Sequence, residues 1–412
     1  MPQWPTVTQV SALTLPRTPS EPIPSRAEVV VIGGGVMGAS IAFHLAEAGV
    51  RDVLLLERDA LASGSTSKAA GGVRAQFSDE LNILLGARSL EAFEAFAQRP
   101  GCEIDLRQVG YLFLLTTPED VATYEASVAL QNSLGVPSRM LSAAEAAALS
   151  PIVTTDDVLA AAFHSRDGYC TPESVVQGYA TGARAHGAVV VTGVEVTGIE
   201  RDGDQIRGVR TSAGEVACST VIDCAGPWAG VVAQLAGVQL PITPLRRQII
   251  VTEVLPDAVR SLVPRDMPMT IDAASTFYLH PEGPASRPSI LLGMSYTGEQ
   301  PGFRMGMSDD WLPDLTEAME HRAPALLDVG MAHGWSGLYE DSPDHNAMIG
   351  EVAGVSRFLY ATGFSGHGFL QGPAVGEVVR DLYLGREPFL DVTPFSVDRF
   401  SAGTARPEHN IV

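Results

Sequence analysis

The chain is nearly free of lysine. Of its 27 basic residues Lys68 is the one lysine, and the other 26 (27 − 1) are arginines. Any Schiff base or lysine proton shuttle must therefore use Lys68. Positive charge as a whole is scarce: 27 Lys and Arg against 48 Asp and Glu give a formal net charge of −21 over 412 residues. That excludes broad phosphate neutralisation, and with it nonspecific nucleic-acid binding. It also excludes a polybasic membrane anchor. No run of 18 apolar residues occurs, so no transmembrane helix is predicted. Cysteine is sparse. Cys102, Cys170, Cys218 and Cys224 form no C-x-x-C pair and are too few for a disulfide framework. Buried thiols in a reducing cytoplasm are the expectation, with no metal site and no membrane contact.

Against these absences stand 41 glycines and a hydrophobic fraction of 45%, which suits a large globular core. The length suggests two or three domain-sized units. Residues 1–26 are proline-rich and lack the charged, apolar, small-residue order of a signal peptide. They read as a flexible or draped arm, and 401–412 as a loose tail. Residues 28–32, EVVVI, form an apolar run suited to a buried parallel strand. GGGVMG follows at once, with Gly33, Gly35 and Gly38 in G-x-G-x-x-G spacing. Ala39, Ala42, Leu45 and Ala46 then repeat with helical period, and Gly49 supplies the stop. His44, inside this helix, reads as packing.

A second apolar strand, 52–56, ends at Glu57, 19 positions past Gly38 (57 − 38). The parts depend on one another mechanically. Gly33 permits the tight turn, Gly35 lets a pyrophosphate approach the backbone, and Gly38 lets helix and strand pack closely. The helix N-terminus offers free N–H groups to phosphate. Glu57 stands where a carboxylate accepts from an adenosine ribose hydroxyl. An acid there disfavours NADP and leaves NAD and FAD open.

Residues 57–77, ERDALASGSTSKAAGGVRAQF, form a connection longer than the ordinary 2–6 residues. Its Ser, Thr and Gly backbone is suited to wrapping phosphates and a ring. Further on, 171–186 reads as a helix with Thr171 as N-cap and Pro172 first inside it. Asp202-Gly203 marks a hairpin. VIDCAGPWA returns to a buried strand. Residues 241–307 are strand-like, 309–324 helical. RFLYATGF (357–364) is a strand running into SGHG, and the helix that follows has Ala374, Val375, Val378, Val379 and Leu382 on its apolar side. Gly366, His367 and Gly368 thus sit at a helix N-terminus, where the dipole favours negative charge.

Four blocks in order carry a family resemblance: VVVIGGGVMGASIAFHLAEAG; GSTSKAAGGVRAQF; VIDCAGPWAG; and GWSGLYEDSPDHNAMIG with YATGFSGHGFLQGPAVGEV. Together they span nearly the whole chain bar its tails. The chain resembles the D-amino-acid-oxidase-like FAD-dependent oxidoreductases, in particular the sarcosine oxidase (beta-subunit-like) and dimethylglycine dehydrogenase branch. The resemblance implies an α/β fold: a Rossmann-like, glutathione-reductase-like FAD-binding domain with a second α+β substrate domain built on an antiparallel sheet. The FAD-binding domain is expected at 27–100, 164–238 and 326–400, and the substrate domain at 101–163 and 239–325. The resemblance also implies FAD rather than NAD. Beyond Gly33, Gly35, Gly38 and Glu57, it assigns Val36, Met37 and Arg58 to the cofactor. The loop adds Ser65, Thr66, Lys68, Ala70, Gly71 and Gly72. The backbone of Val196 would meet the adenine, and Ala225, Gly226 and Trp228 would line the dinucleotide. Gly337, Gly366, His367, Gly368, Phe369 and Leu370 would close the flavin end.

The implied reaction oxidises the C–N bond of an amino acid or secondary amine, sarcosine-like or D-amino-acid-like, by hydride transfer to flavin N5. The resulting imine hydrolyses. Arg74 is the candidate for the substrate carboxylate, as a bidentate fork. Tyr278, His280 and Tyr339 are candidates for the substrate side, as is His367. Arg247 could bind substrate or flavin, with a structural role read first. Three departures from the family pattern stand out. The monomeric enzymes attach flavin through a cysteine before M-Y-T-M-T-P-D, where this chain has Gly337 before LYEDSPD. The dimethylglycine dehydrogenase group uses a histidine where this chain has Lys68. Non-covalent FAD is therefore expected. Leu370 and Leu291 replace lysines tied to the carboxylate and to oxygen activation, which leaves O2 or another electron acceptor open. Three further readings remain: the flavin subunit of a hetero-oligomer with partner subunits, a non-catalytic assembly factor, and a hydroxy-acid donor.

Overall fold

A computed structural model describes residues 18–284 and 286–410. Most of the N-terminal arm, 1–17, lies outside the described residues. Its described part lies along the edge strand Val189–Thr192, with Ser20 N donating to Thr192 O at 3.0 Å.

Val29–Ile32 is wholly buried and is an inner strand of a six-stranded sheet. The order is Met348–Glu351, Phe358–Thr362, Thr220–Asp223, Val29–Ile32, Val53–Glu57, Val189–Thr192. Pairings are parallel except at the Met348–Glu351 edge. Strand alternation divides the core here. Val29 and Val31 pack with the helices Val36–Glu47, Pro172–Ala185 and Gly368–Leu384. Val30 and Ile32 pack instead against Ile199, Ile206, Val209 and Val216 of a three-stranded antiparallel sheet. The Asp202-Gly203 turn joins two strands of that sheet as expected, with Gly203 at φ +63°.

The second domain is built on an eight-stranded sheet. Its order is Met331–Asp341, Thr243–Thr252, Ser289–Met294, Tyr278–Glu282, Met269–Asp272, Tyr111–Leu115, Ala160–His164, Arg139–Leu141. Every pairing is antiparallel except the one between Met269–Asp272 and Tyr111–Leu115. One face packs on the helix Leu312–Arg322, with Trp311 and Leu315 fully buried. The other face looks toward the nucleotide-binding sheet and forms one wall of the site.

Two expectations about boundaries are corrected. The return to the nucleotide domain was expected at 326, yet Met331–Asp341 pairs along its length with Thr243–Thr252, so the strand belongs to the substrate sheet. The tail was expected to be loose, yet Glu408 and Asn410 are buried. A buried carboxylate persists only where donors meet it, and Glu408 accepts from Ser78 N, Ser78 Oγ, Asp79 N and Asn82 Nδ2.

Candidate active site

Gly33 follows the first strand at φ +110°, and its N–H donates to Leu56 O at 2.9 Å. A Cβ there would stand 2.3 Å from Cys224 O, so only glycine lets the three central strand ends meet. A Cβ on Gly38 would lie 1.9 Å from Gly33 O. Gly38 therefore seats the helix on the turn and is not itself on the cavity wall. Gly35 is the N-cap, with no side-chain cap bond, and it lines the cavity. Val36 N donates to Thr66 Oγ1 at 3.2 Å, which ties the second loop to the helix N-terminus.

Glu57 ends the second strand. Its carboxylate is held by Gly34 N at 2.6 Å and Asp59 N at 2.7 Å. Burial raises its pKa and these two donors oppose the rise. The 63–72 loop then crosses to the other domain. Ser65 Oγ donates to Leu338 O at 2.5 Å, and Trp335 Nε1 donates to Lys68 O at 3.0 Å. A Cβ on Gly337 would meet Lys68 Cβ at 2.5 Å, so glycine there is what lets the two domains touch.

These elements enclose a cavity of about 500 Å³. Its wall runs from the Gly33 turn past Glu57 and Arg58 and along the 63–72 loop. It continues through Val196, Ala225, Gly226 and Trp228 to Gly337 and the segment 366–370. All cofactor residues read from the sequence except Gly38 lie on this wall. The helix Gly368–Leu384 points its uncapped N-terminus into it. The chamber thus has two helix N-termini, the Glu57 carboxylate at one end and aromatic residues at the other. It fits an extended dinucleotide carrying a flavin.

The substrate-side residues divide. Tyr278, Tyr339 and His367 line the cavity. Burial, then Arg74 and His345, lowers the His367 pKa well below its ordinary value, and its Nε2 has no partner. His367 is therefore a neutral ring facing the chamber. His280 does not line it. It stacks on Tyr169 at 4.3 Å, and its nitrogens lie 2.8 Å from Pro281 O and 3.2 Å from Ala70 O. It braces the back of the loop instead, because the Lys68–Ala70 backbone stands between it and the chamber.

Arg74 lines the cavity, but its guanidinium is engaged. Nη1 donates to Gln76 O and Nη2 to Asn410 O, and the group lies 4.1 Å from the Phe77 ring centre. Two of the five donors expected to be free for a substrate carboxylate thus meet backbone carbonyls instead. Arg247, read first as structural with substrate or flavin binding as the alternative, takes the opposite position. Strand alternation sends its neighbour Arg246 to Glu299 and sends Arg247 into the cavity. Arg247 lies 5.1 Å over the Tyr339 ring, and its buried Nε has no partner. No carboxylate among the described residues pairs with it. Glu340 was missed. It lies between Gly226 and the Gly368 helix start, accepts from Thr362 Oγ1 at 2.9 Å, and is pushed up by burial to about 7. A paired-arginine strand and an acid beside a tyrosine were the available signals. Neither says which face meets the cavity.

The family model described as "FAD dependent oxidoreductase" (DAO) matches residues 28–382. Rat mitochondrial dimethylglycine dehydrogenase is 31% identical over 392 residues, covering 92% of this chain and 45% of that protein. The chain thus spans less than half the length of that relative. Among solved structures, L-proline dehydrogenase from P. horikoshii is 31% identical with a TM-score of 0.86, covering 93% of this chain and 100% of that one. Glycine oxidase from Geobacillus kaustophilus is 25% identical with a TM-score of 0.80, covering 91% and 99%.

Proposed function

Since this chain belongs to the DAO family of FAD-dependent oxidoreductases, we propose that it oxidises the C–N bond of a small amino acid or N-methylated amine. FAD, when bound, supplies the two-electron acceptor. The substrate C–N bond becomes an imine, which water hydrolyses to a carbonyl compound and an amine. The relatives named for dimethylglycine, L-proline and glycine support this class.

The observation that carries the reading is Arg247, a half-buried guanidinium on the cavity wall whose Nε has no partner and whose one hydrogen bond, from Nη1, goes to the Arg246 carbonyl at 3.3 Å. A cation that faces the cavity with no carboxylate among the described residues to pair with it calls for an anion, and a substrate carboxylate supplies one. Tyr278 and Tyr339 flank it on the wall. The neutral ring of His367 puts no positive charge beside the amine, and desolvation in the chamber favours the amine's neutral form. Arg74, fixed by the tail, shapes the chamber with Phe77 rather than gripping substrate.

The cofactor is non-covalent in this reading, because Lys68 stands where the resembling group has its histidine. Flavin released into the supernatant on acid precipitation supports this, and yellow precipitate refutes it. The four free cysteines, three of them buried, support work in a reducing compartment such as the cytoplasm. Leu370 on the cavity wall and buried Leu291 favour an acceptor other than O2. They also favour a second reading, the flavin subunit of a larger assembly. Slow reoxidation by O2 and co-purifying chains support these two points. Anaerobic mixing with sarcosine, dimethylglycine, proline and D- and L-amino acids tests the main reading. Bleaching of the flavin by at least one supports it, and bleaching by none overturns it.

A further inference from the structure

Three large apolar side chains lie exposed in one short segment: Phe303, Met305 and Met307, each between 42% and 45% exposed. The segment belongs to the substrate domain, between the strand Ser289–Met294 and the helix Leu312–Arg322. Exposed apolar residues in a row call for a reason.

Both ends of the segment are pinned. Gly302 N donates to Pro244 O at 2.9 Å. Buried Arg246 reaches Glu299 at 2.8 Å, the Gly306 carbonyl, and Ser308 Oγ at 3.0 Å. Ser308 N donates to Gln248 Oε1 at 2.8 Å, and Ser336 Oγ donates to Met305 O at 2.6 Å. Such a network fixes the segment on the substrate sheet. The tip between the pins crosses to the other domain. The Phe303 ring stacks on Trp228, with centroids 5.6 Å apart and planes 21° apart. Arg58 lies 4.6 Å over the same indole. Trp228, Arg58 and Met305 all line the cavity.

We propose that residues 302–308 are a clasp that retains the bound dinucleotide, with Phe303 holding Trp228 down over the cavity and Met305 closing the wall beside it. The clasp sits on the substrate domain, so the two domains grip the cofactor between them. The proposal rests on FAD occupying the cavity and not on which amine is oxidised.

Release of FAD from the purified holoprotein, followed as recovery of free-flavin fluorescence after dilution, tests it. An aromatic stack of this kind is worth about 0.5–1.5 kcal/mol. Phe303→Ala should therefore release FAD roughly twofold to twelvefold faster. Met305→Ala should accelerate release as well. Phe389→Ala, which removes an equally exposed ring (45%) away from the cavity, should leave the rate at the wild-type value. Equal rates for wild type, Phe303→Ala and Met305→Ala would overturn the clasp. So would flavin that stays with acid-precipitated protein, since a covalent link leaves a clasp nothing to retain. A protein that oxidises no amine leaves the release rates readable, so the two readings fail separately.

Discussion

Arg74 and Asn410 are 336 positions apart, and Arg74 Nη2 donates to the Asn410 carbonyl at 2.6 Å. The tail therefore holds a cavity-wall arginine in place. Glu408 anchors that tail, with oxygens that accept from Ser78, Asp79, Asn82 and Asn410.

Removing the anchor should be costly. Glu408→Ala leaves several buried donors without an acceptor, at about 1–3 kcal/mol for each group left dry. The melting temperature of the holoprotein should fall clearly for Glu408→Ala and less for Glu408→Gln, which keeps one acceptor. Differential scanning calorimetry reads both.

The two nearby glycines should behave differently. Gly38→Ala drives a Cβ to 1.9 Å from Gly33 O, whereas Gly35→Ala meets only Thr66 Oγ1, at 3.2 Å. Gly38→Ala should yield little soluble protein. Gly35→Ala should fold but bind FAD weakly, because its new methyl occupies the phosphate approach. Soluble yield and flavin content per chain separate the two.

Glu340 sets a pH dependence. Burial raises it from 4.5 to about 7 in the folded chain. Between these values the native state binds more protons than the unfolded state, so stability falls as pH rises through that window. Glu340→Gln removes the loss. Its melting temperature relative to wild type should rise from pH 5 to pH 8, by the equivalent of up to about 3 kcal/mol.

His44 has the opposite sign. Burial, reinforced by Arg99, lowers it from 6.5 to about 4. The unfolded imidazole takes up a proton that the native one refuses, so its contribution is full above 6.5 and is lost as pH falls toward 4. At pH 5 the loss is on the order of 2 kcal/mol. Thermal melts from pH 7 to pH 5 should show it, and His44→Gln should flatten that limb.

The nucleotide half was legible because its signals are local. A strand, a tight turn and a helix follow one another within residues 29–47, and Gly38 answers a contact with Gly33 inside that unit. The substrate half was less legible for physical reasons. Arg246 and Arg247 are adjacent, and only the sheet's placement decides which one enters the cavity. Arg74 matched a family position, but its partner comes from the far end of the chain. His280 shares a strand with Tyr278, yet the backbone at Ala70 screens it from the chamber. The strand Met331–Asp341 reads equally well in either domain until its pairing is known.

The most direct test is anaerobic stopped-flow reduction of the bound flavin by an accepted amino acid, in wild type and in Arg247→Met. Losing hydrogen bonds to a charged group costs about 1.5–3 kcal/mol. The substrate dissociation constant should therefore rise roughly tenfold to 150-fold in the variant, with flavin content unchanged. An unchanged dissociation constant, or a wild-type flavin that no amine reduces, would contradict the account.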